Sequence, residues 1–212
     1  MNLPDYRLAV VNTTRADQRR LTLRSRVISL DNRLLAERVD HVDVRADSVT
    51  TLEAPLPLAP ALAREGLVLV KLTLEDSHGA TISDNVYWQS QDAAAQQRLN
   101  TLAPQRVAMT ARPAAAVAGG AGRDGLADGD GLVDVTLTNT GNAPALNAKI
   151  TMLGDDGQRV LPVYYDDNYV TLLPGETRHL EVHCPASNCT KITLRGWNVM
   201  HVEAPIAHTA RQ

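Results

Sequence analysis

The stretch that decides the fold runs from Pro162 to Glu176 and reads Pro-Val-Tyr-Tyr-Asp-Asp-Asn-Tyr-Val-Thr-Leu-Leu-Pro-Gly-Glu. It predicts a short strand, a polar turn at 166–168 and a second strand, followed by a Pro-Gly turn before a strand over 177–184. Asp and Asn favour turns because their side chains hydrogen-bond to nearby backbone groups, and Pro-Gly presets the backbone of a tight turn. The stretch therefore indicates short strands joined by tight turns.

Alternating apolar and polar residues extend this pattern along the chain. In 67–75, Val68, Val70 and Leu72 share one face and Lys71 and Thr73 take the other, which predicts a half-buried antiparallel strand. Further strands are predicted over 7–12, 21–30, 34–44, 49–52, 81–88, 106–112, 133–138 and 146–152. Short strands at this spacing are typical of immunoglobulin-like sandwiches, so we predict an all-β chain of two consecutive immunoglobulin-like β-sandwich domains.

The domain boundary is predicted at the one stretch compatible with a helix, 92–102, which ends before Ala103-Pro104. The first domain would then cover 1–103, with a linker over 89–103, and the second would cover 104–212. The Ala/Gly/Asp-rich segment 114–131 is predicted to be a mobile loop between the first two strands of the second domain. No internal repeat is evident beyond the shared architecture. The first sandwich is expected either to lack its leading strand or to take a stub of it from residues 2–5.

Composition excludes several classes of protein. The 212 residues carry a net charge of −3 with acidic and basic residues interspersed, which argues against nucleic acid or a charged membrane surface as a partner. No apolar run approaches the roughly 20 residues of a membrane helix. The chain is also shorter than a (β/α)₈ barrel of about 250 residues and lacks alternating helical and strand patterns.

Three motifs resemble one enzyme family. The opening stretch is similar to the "DNY/F-x-x-LLPGE" motif in the last domain of exo-acting enzymes of glycoside hydrolase family 2, in the exo-β-glucosaminidase and β-mannosidase branch. The segment 83–90 resembles the family's "SDNFYWLS", with Val86 where an aromatic residue is usual, and 98–104 is similar to its "LN-x-LP" linker. The resemblance implies non-catalytic C-terminal accessory domains that buttress the catalytic barrel of a periplasmic or secreted parent. That parent would hydrolyse terminal β-glycosidic bonds of glucosaminides or mannosides.

No catalytic residue is assigned to this chain. A retaining glycosidase needs two carboxyl groups about 5 Å apart across its cleft. Asp155-Asp156 and Asp166-Asp167 are adjacent pairs, whose side chains point to opposite faces of an extended chain, and turns are their more ordinary role. The alternative function is a stand-alone carbohydrate-binding or adhesive module, which would use exposed aromatic side chains.

The candidate contact site, with the barrel or with a sugar, lies in the 164–169 segment. It consists of Tyr164, Tyr165, Asp166, Asp167, Asn168 and Tyr169. Because adjacent tyrosines cannot both face the core, at least one of Tyr164 and Tyr165 is expected to be exposed or covered by a partner. The plainer interpretation is a hairpin whose aromatic residues fill the core and whose polar side chains bond only locally.

No metal site or cofactor is predicted. Asp124, Asp128, Asp130 and Asp134 lack the ligand spacing of a calcium loop. His179 and His183 would lie about 13 Å apart on a strand, too far to share a metal ion. Cys184 and Cys189 either close a small disulfide in an oxidising compartment or leave one buried thiol and one loop thiol.

Overall fold

The computed structural model describes residues 1–2, 5–54, 56–114, 130–185 and 188–206. It divides into two compact units, Met1–Thr101 and Leu102–Gln212. The first unit contains β1 (Ala9–Asn12), β2 (Gln18–Ile28), β3 (Leu34–Val44), β4 (Ser48–Thr51), α1 (Ala59–Glu65), β5 (Leu67–Glu75), β6 (Thr81–Ser90), α2 (Ala93–Gln96) and a 3₁₀ helix (Gln97–Thr101). The second contains β7 (Val107–Pro113), β8 (Asp130–Asn139), β9 (Ala145–Leu153), β10 (Tyr164–Tyr165), β11 (Val170–Leu172), β12 (Thr177–Pro185), β13 (Lys191–Arg195) and β14 (Val202–Pro205). The all-β prediction is confirmed.

Each unit is a sandwich of two antiparallel sheets. In the first unit the sheets have the strand orders β1-β4 and β3-β2-β5-β6, and in the second they are β10-β12-β8-β7 and β11-β9-β13-β14. Alternate side chains of both sheets meet in an apolar core, such as Val10 and Val70 in the first unit and Ile150 and Val182 in the second. The sparse aromatic residues leave these cores mainly to Val, Leu and Ile.

The two units share one topology. The order β3-β2-β5-β6 corresponds to β11-β9-β13-β14, and the pair β1-β4 corresponds to the central pair β8-β12. The sheet of the second unit continues past β8 with β7 and past β12 with β10. Within the described residues of the first unit, neither β1 nor β4 has such a neighbour.

A buried asparagine occupies the same position in both units. Asn12 ends β1, and its Nδ2 donates to Ala16 O at 2.8 Å and to Arg45 O at 2.9 Å. Asn139 ends β8, and its Nδ2 donates to Ala143 O and Leu172 O, both at 2.9 Å. Each side chain therefore closes the turn that leaves one sheet and ties that turn to the opposite sheet.

The repeat extends to the sequence around each asparagine. The segments Asn12-Thr-Thr-Arg-Ala and Asn139-Thr-Gly-Asn-Ala share three residues at equal spacing. In both, the asparagine Oδ1 accepts from the backbone N–H two residues later, at 3.0 Å from Thr14 and 2.9 Å from Gly141. Three shared residues among five are too few to indicate a repeat without the contacts, so this repeat could not be predicted from the sequence.

The prediction of a single helix-compatible stretch is wrong. The segment 92–102 forms α2 and the 3₁₀ helix, with the Asp92 side chain accepting from Ala95 N. The additional helix, α1, has a proline in its first turn and ends at Gly66, whose φ of +72° suits glycine. It spans only 7 residues, too few for a helical period to emerge from the sequence.

The interpretation of β5 as a half-buried strand also needs correction. Its outer face is buried as well, through Leu67, Leu69 and Lys71. At the start of the strand, Gln91 N donates to Gly66 O at 2.8 Å, which continues the β5–β6 pairing past Leu67 and Ser90. The alternation over 67–75 identified the apolar face correctly, but it could not show that the opposite face would be covered.

Candidate functional site

The 164–169 segment crosses from one sheet of the second unit to the other. Its first strand, β10, pairs with β12, and β11, which follows the segment, pairs with β9 in the opposite sheet. The hairpin considered from the sequence is therefore wrong, because the two short strands do not pair with each other. The Pro-Gly turn that follows is present: Glu176 N donates to Leu173 O at 3.0 Å, and Gly175 has a φ of +79°.

Asp166 fixes the start of the crossing to β12. Its Oδ1 accepts from Glu181 N at 2.9 Å and from Asp167 N at 2.7 Å, while its own backbone N–H donates to Glu181 O at 3.1 Å. The carboxylate thus satisfies backbone donors in two places that the sheet ladder does not reach. This is a structural role, which the sequence could not separate from a contact role.

Asn168 fixes the end of the crossing to β9. Its Oδ1 accepts from Ile150 N at 2.9 Å, and its Nδ2 donates to Ile150 O at 3.1 Å. The side chain therefore takes the place of a strand partner for Ile150, next to the shift in register between β11 and β9. Asn168 is a positioning residue for the segment.

The three tyrosines divide between core and surface. Tyr165 packs against the apolar core, its hydroxyl accepts from Met152 N at 3.3 Å, and burial raises the pKa of that hydroxyl. Tyr164 and Tyr169 are 54% and 56% exposed. Of the adjacent residues in β10, Tyr165 thus points into the core and Tyr164 points to solvent.

Tyr169 is held in a conformation that is rare for a bulky side chain. Its φ is +61°, in the left-handed region that strongly favours glycine and asparagine. Asn168, the preceding residue, holds the backbone in this conformation through its hydrogen bonds to Ile150. The ammonium of Lys149 lies 5.1 Å from the centroid of the Tyr169 ring. Backbone strain of this kind is concentrated at functional sites.

These contacts leave Tyr164, Asp167 and Tyr169 exposed, and we call these three together with the half-buried Lys149 the tyrosine patch. The first three were predicted from the sequence. Lys149 was not, because it lies on the polar side of β9, where nothing in the sequence indicates its spatial neighbour. The patch combines aromatic faces with a carboxylate and an ammonium. Such surfaces are typical of contacts with protein or sugar.

The two cysteines are both buried free thiols. Cys184 lies in β12 and Cys189 in the loop just before β13, and the loop thiol is buried as well. Burial raises the pKa of Cys189, and a hydrogen bond with Cys184 offsets this in part. A disulfide between them stays a prediction for protein from an oxidising compartment.

We expect Cys189 to react slowly with iodoacetamide in the folded chain. A raised pKa leaves less thiolate at pH 7.5, and burial limits access, so alkylation should accelerate as the pH rises and after unfolding in guanidinium. Mass spectrometry of time-quenched samples measures the rate at each cysteine. Alkylation as fast as that of a free cysteine peptide at pH 7.5 would contradict the buried thiol.

The described residues contain no group of three or more His, Cys, Asp or Glu side chains that could hold a metal ion. Asp124 and Asp128 lie outside the described residues. His179 and His183 both lie on β12, facing Thr136 and Leu132 of β8 across the ladder. In the part of the chain that the structure covers, no helix is long and apolar enough to cross a membrane.

Comparisons with known proteins converge on one group of domains. A family model described as the exo-beta-D-glucosaminidase Ig-fold domain matches residues 85–199, more than half of the chain. A second, described as a mannosidase Ig/CBM-like domain, matches residues 5–91. Together they cover both units.

Individual relatives agree with these matches. The exo-beta-D-glucosaminidase of Amycolatopsis orientalis is 30% identical over an alignment that covers 90% of this chain and 20% of that protein. The exo-beta-D-glucosaminidase of Arthroderma benhamiae is 28% identical, over 92% of this chain and 23% of that protein. The chain therefore spans less than a quarter of the length of these relatives.

Solved structures show the same fold. The exo-chitosanase CsxA of Amycolatopsis orientalis matches with a TM-score of 0.82 and 27% identity, over 95% of this chain and 25% of that one. A beta-D-mannosidase from Dictyoglomus thermophilum matches with a TM-score of 0.60 at 12% identity, which shows a shared fold alone.

Proposed function

Because the chain belongs to the family of exo-β-D-glucosaminidase immunoglobulin-fold domains, we propose that its parent is an exo-glycosidase that removes terminal β-linked sugars. The chain itself is a pair of immunoglobulin-like accessory domains and a non-catalytic part of such an enzyme, so the resemblance found in the sequence is confirmed. Glucosaminides are the substrate class that we propose, since the relatives carrying both units are exo-β-D-glucosaminidases. We also propose a periplasmic or secreted parent.

The proposed role of the chain is to support the catalytic domain of the same polypeptide through the tyrosine patch. The observation that carries this proposal is the strained backbone of Tyr169. Asn168 and Asp166 hold the segment to both sheets, so the strained residue presents its ring to solvent in a fixed position. A turn that only joined two strands would not need a large aromatic residue where glycine fits without strain.

In the whole enzyme, we expect Asp167→Ala combined with Tyr169→Ala to lower kcat/KM on an aryl β-glucosaminide by about tenfold or more. Both side chains would be lost from a contact that positions the catalytic domain. The same pair of changes in the 212-residue chain should alter the free energy of unfolding of the second unit by less than about 1 kcal/mol. Steady-state kinetics and urea denaturation measure the two effects.

A matched control is Asp155→Ala combined with Leu161→Ala, which removes an exposed acidic and an exposed large apolar side chain from the same unit. It should leave kcat/KM unchanged. Tyr169→Gly is a sharper single change, because glycine adopts a φ of +61° without strain. It should lower kcat/KM while leaving the second unit at least as stable, and unchanged kinetics in every patch variant would overturn the role.

The second candidate function is a carbohydrate-binding module, which the two exposed tyrosines of the patch favour. Sugar rings stack on exposed aromatic faces, and Tyr164 and Tyr169 are more than half exposed. Calorimetric titration of the isolated chain with glucosamine oligosaccharides distinguishes the two functions. Binding that is lost in Tyr169→Ala would support the module, whereas the accessory role predicts no measurable binding and no hydrolysis by the chain alone.

A further inference from the structure

The first unit has an open strand edge at β1. Leu52 N donates to Leu8 O at 2.8 Å, which makes Leu8 and Leu52 a hydrogen-bonded pair of the β1–β4 ladder. Since such pairs alternate in antiparallel sheets, Val10 is also bonded to β4, whereas the N–H and C=O groups of Ala9 and Val11 point away from it. Within the described residues, no strand pairs with this edge of β1.

A groove of about 450 Å³ lies beside this open edge. Its walls are β1 on one side and the inner face of the opposite sheet on the other, through Leu23, Leu72, Leu74 and Tyr87. All the lining side chains are uncharged, with Asn2, Ser83 and Asn85 as the polar ones, and the Met1 amino group donates to the Tyr87 hydroxyl at 3.3 Å. The groove thus combines uncharged, mainly apolar walls with a row of outward-facing backbone groups.

The second unit shows what occupies the same position there. When β1 is aligned with β8 so that Asn12 matches Asn139, Val11 corresponds to Thr138 and Ala9 corresponds to Thr136. In β8 these two residues face β7, opposite Ala108 and Thr110. Across the sandwich of the second unit, β7 lies against β14. The counterpart of β14 in the first unit is β6, and β6 carries the Tyr87 that lines the groove.

We propose that the groove receives an extended strand that pairs antiparallel with β1 through Ala9 and Val11. The occupant is a segment of the whole protein's own polypeptide outside these 212 residues, as β7 belongs to the same polypeptide as β8. Its inward positions carry uncharged residues of small or medium size, as Val107, Met109 and Ala111 do in β7. Backbone hydrogen bonds along the edge supply the pairing, and the apolar walls select the side chains.

The test supplies a strand from within the molecule. A copy of residues 107–113 is joined ahead of Met1 by a flexible Gly/Ser linker, which raises its effective concentration to about the millimolar range. We expect hydrogen exchange of the Ala9 and Val11 amides to slow by about tenfold or more, because both N–H groups gain acceptors. Exchange is followed residue by residue by NMR, with and without the added strand.

Two matched changes separate edge pairing from a general effect. Val11→Pro removes a donor that faces the groove, whereas Val49→Pro removes one from the cross-strand partner, on the opposite edge of the same two-stranded sheet. These valines are 61% and 59% exposed. With the added strand, protection of Ala9 should be lost in Val11→Pro and kept in Val49→Pro.

A third variant leaves the 212 residues untouched. Prolines at the copies of Ala108 and Thr110 in the added strand remove the donors that would face β1, so protection should disappear even if Val11→Pro fails to fold. Equal protection with this proline-containing strand, or none with the original one, would overturn the proposal. Protection that rises with protein concentration alone, with a dimer detected by light scattering, would assign the edge to a second copy and would also overturn it.

Discussion

Asn139→Ala is expected to lower the free energy of unfolding of the second unit by about 3–5 kcal/mol. The change removes two donors, to Ala143 O and Leu172 O, and one acceptor, for Gly141 N. Asn139 is fully buried, so the partner groups nearest to it lose their hydrogen bonds where water has little access. Urea denaturation followed by the NMR amide signals of β9 and β13 measures the loss.

Two further variants test the cause of that loss. Asn142→Ala changes an exposed asparagine in the same turn and should alter stability by less than about 0.5 kcal/mol. Asn139→Asp keeps the shape of the side chain and the acceptor for Gly141 N, but it cannot donate to the two carbonyls when it is ionised. It should therefore be nearly as damaging as alanine at neutral pH, and a mild effect would show that the donor contacts contribute little.

Asp84→Ala is expected to destabilise the first unit by about 3–5 kcal/mol. The Asp84 Oδ2 lies 3.7 Å from the Lys71 Nζ on the outer face of β5 and β6, and the side chains are only 8% exposed for Lys71 and 12% for Asp84. Removing the carboxylate takes a nearby counter-charge away from a buried ammonium. Urea denaturation followed by the amide signals of β2 and β5 reports the effect.

The double variant Lys71→Met with Asp84→Leu is the control. Replacing both charges by apolar side chains avoids the desolvation of ions, so its stability should stay within about 1 kcal/mol of the original or exceed it. If Asp84→Ala alone costs less than about 1 kcal/mol, the pair is solvated and the expectation is wrong.

Much of the fold could be predicted from the sequence because its elements depend on local chemistry. The period of two over 67–75 and 146–152 identified β5 and β9, and the Pro-Gly turn before Glu176 followed from the backbone preferences of those residues. The family also emerged from short motifs in sequence order. Local rules failed for the 7 residues of α1, which are too few to show a helical period.

The candidate site was predicted only as a set of residues. The three tyrosines and three polar residues of the 164–169 segment can be read directly from the sequence. Which of them hold the segment and which face solvent depends on strands far away in sequence. Asn168 binds Ile150, Asp166 binds Glu181, and Lys149 reaches Tyr169 through contacts that no local pattern records.

The sequence by itself therefore determined the all-β class, most of the strands and the family, since alternation and turn chemistry act between residues a few positions apart. Tertiary structure alone decided the crossing at 164–169, the matching roles of Asn12 and Asn139, the burial of Lys71 and the open edge of β1. Each of these depends on which strands become neighbours. Neighbours are chosen by packing and hydrogen bonding across the whole domain, where residues distant in sequence compete for the same partners.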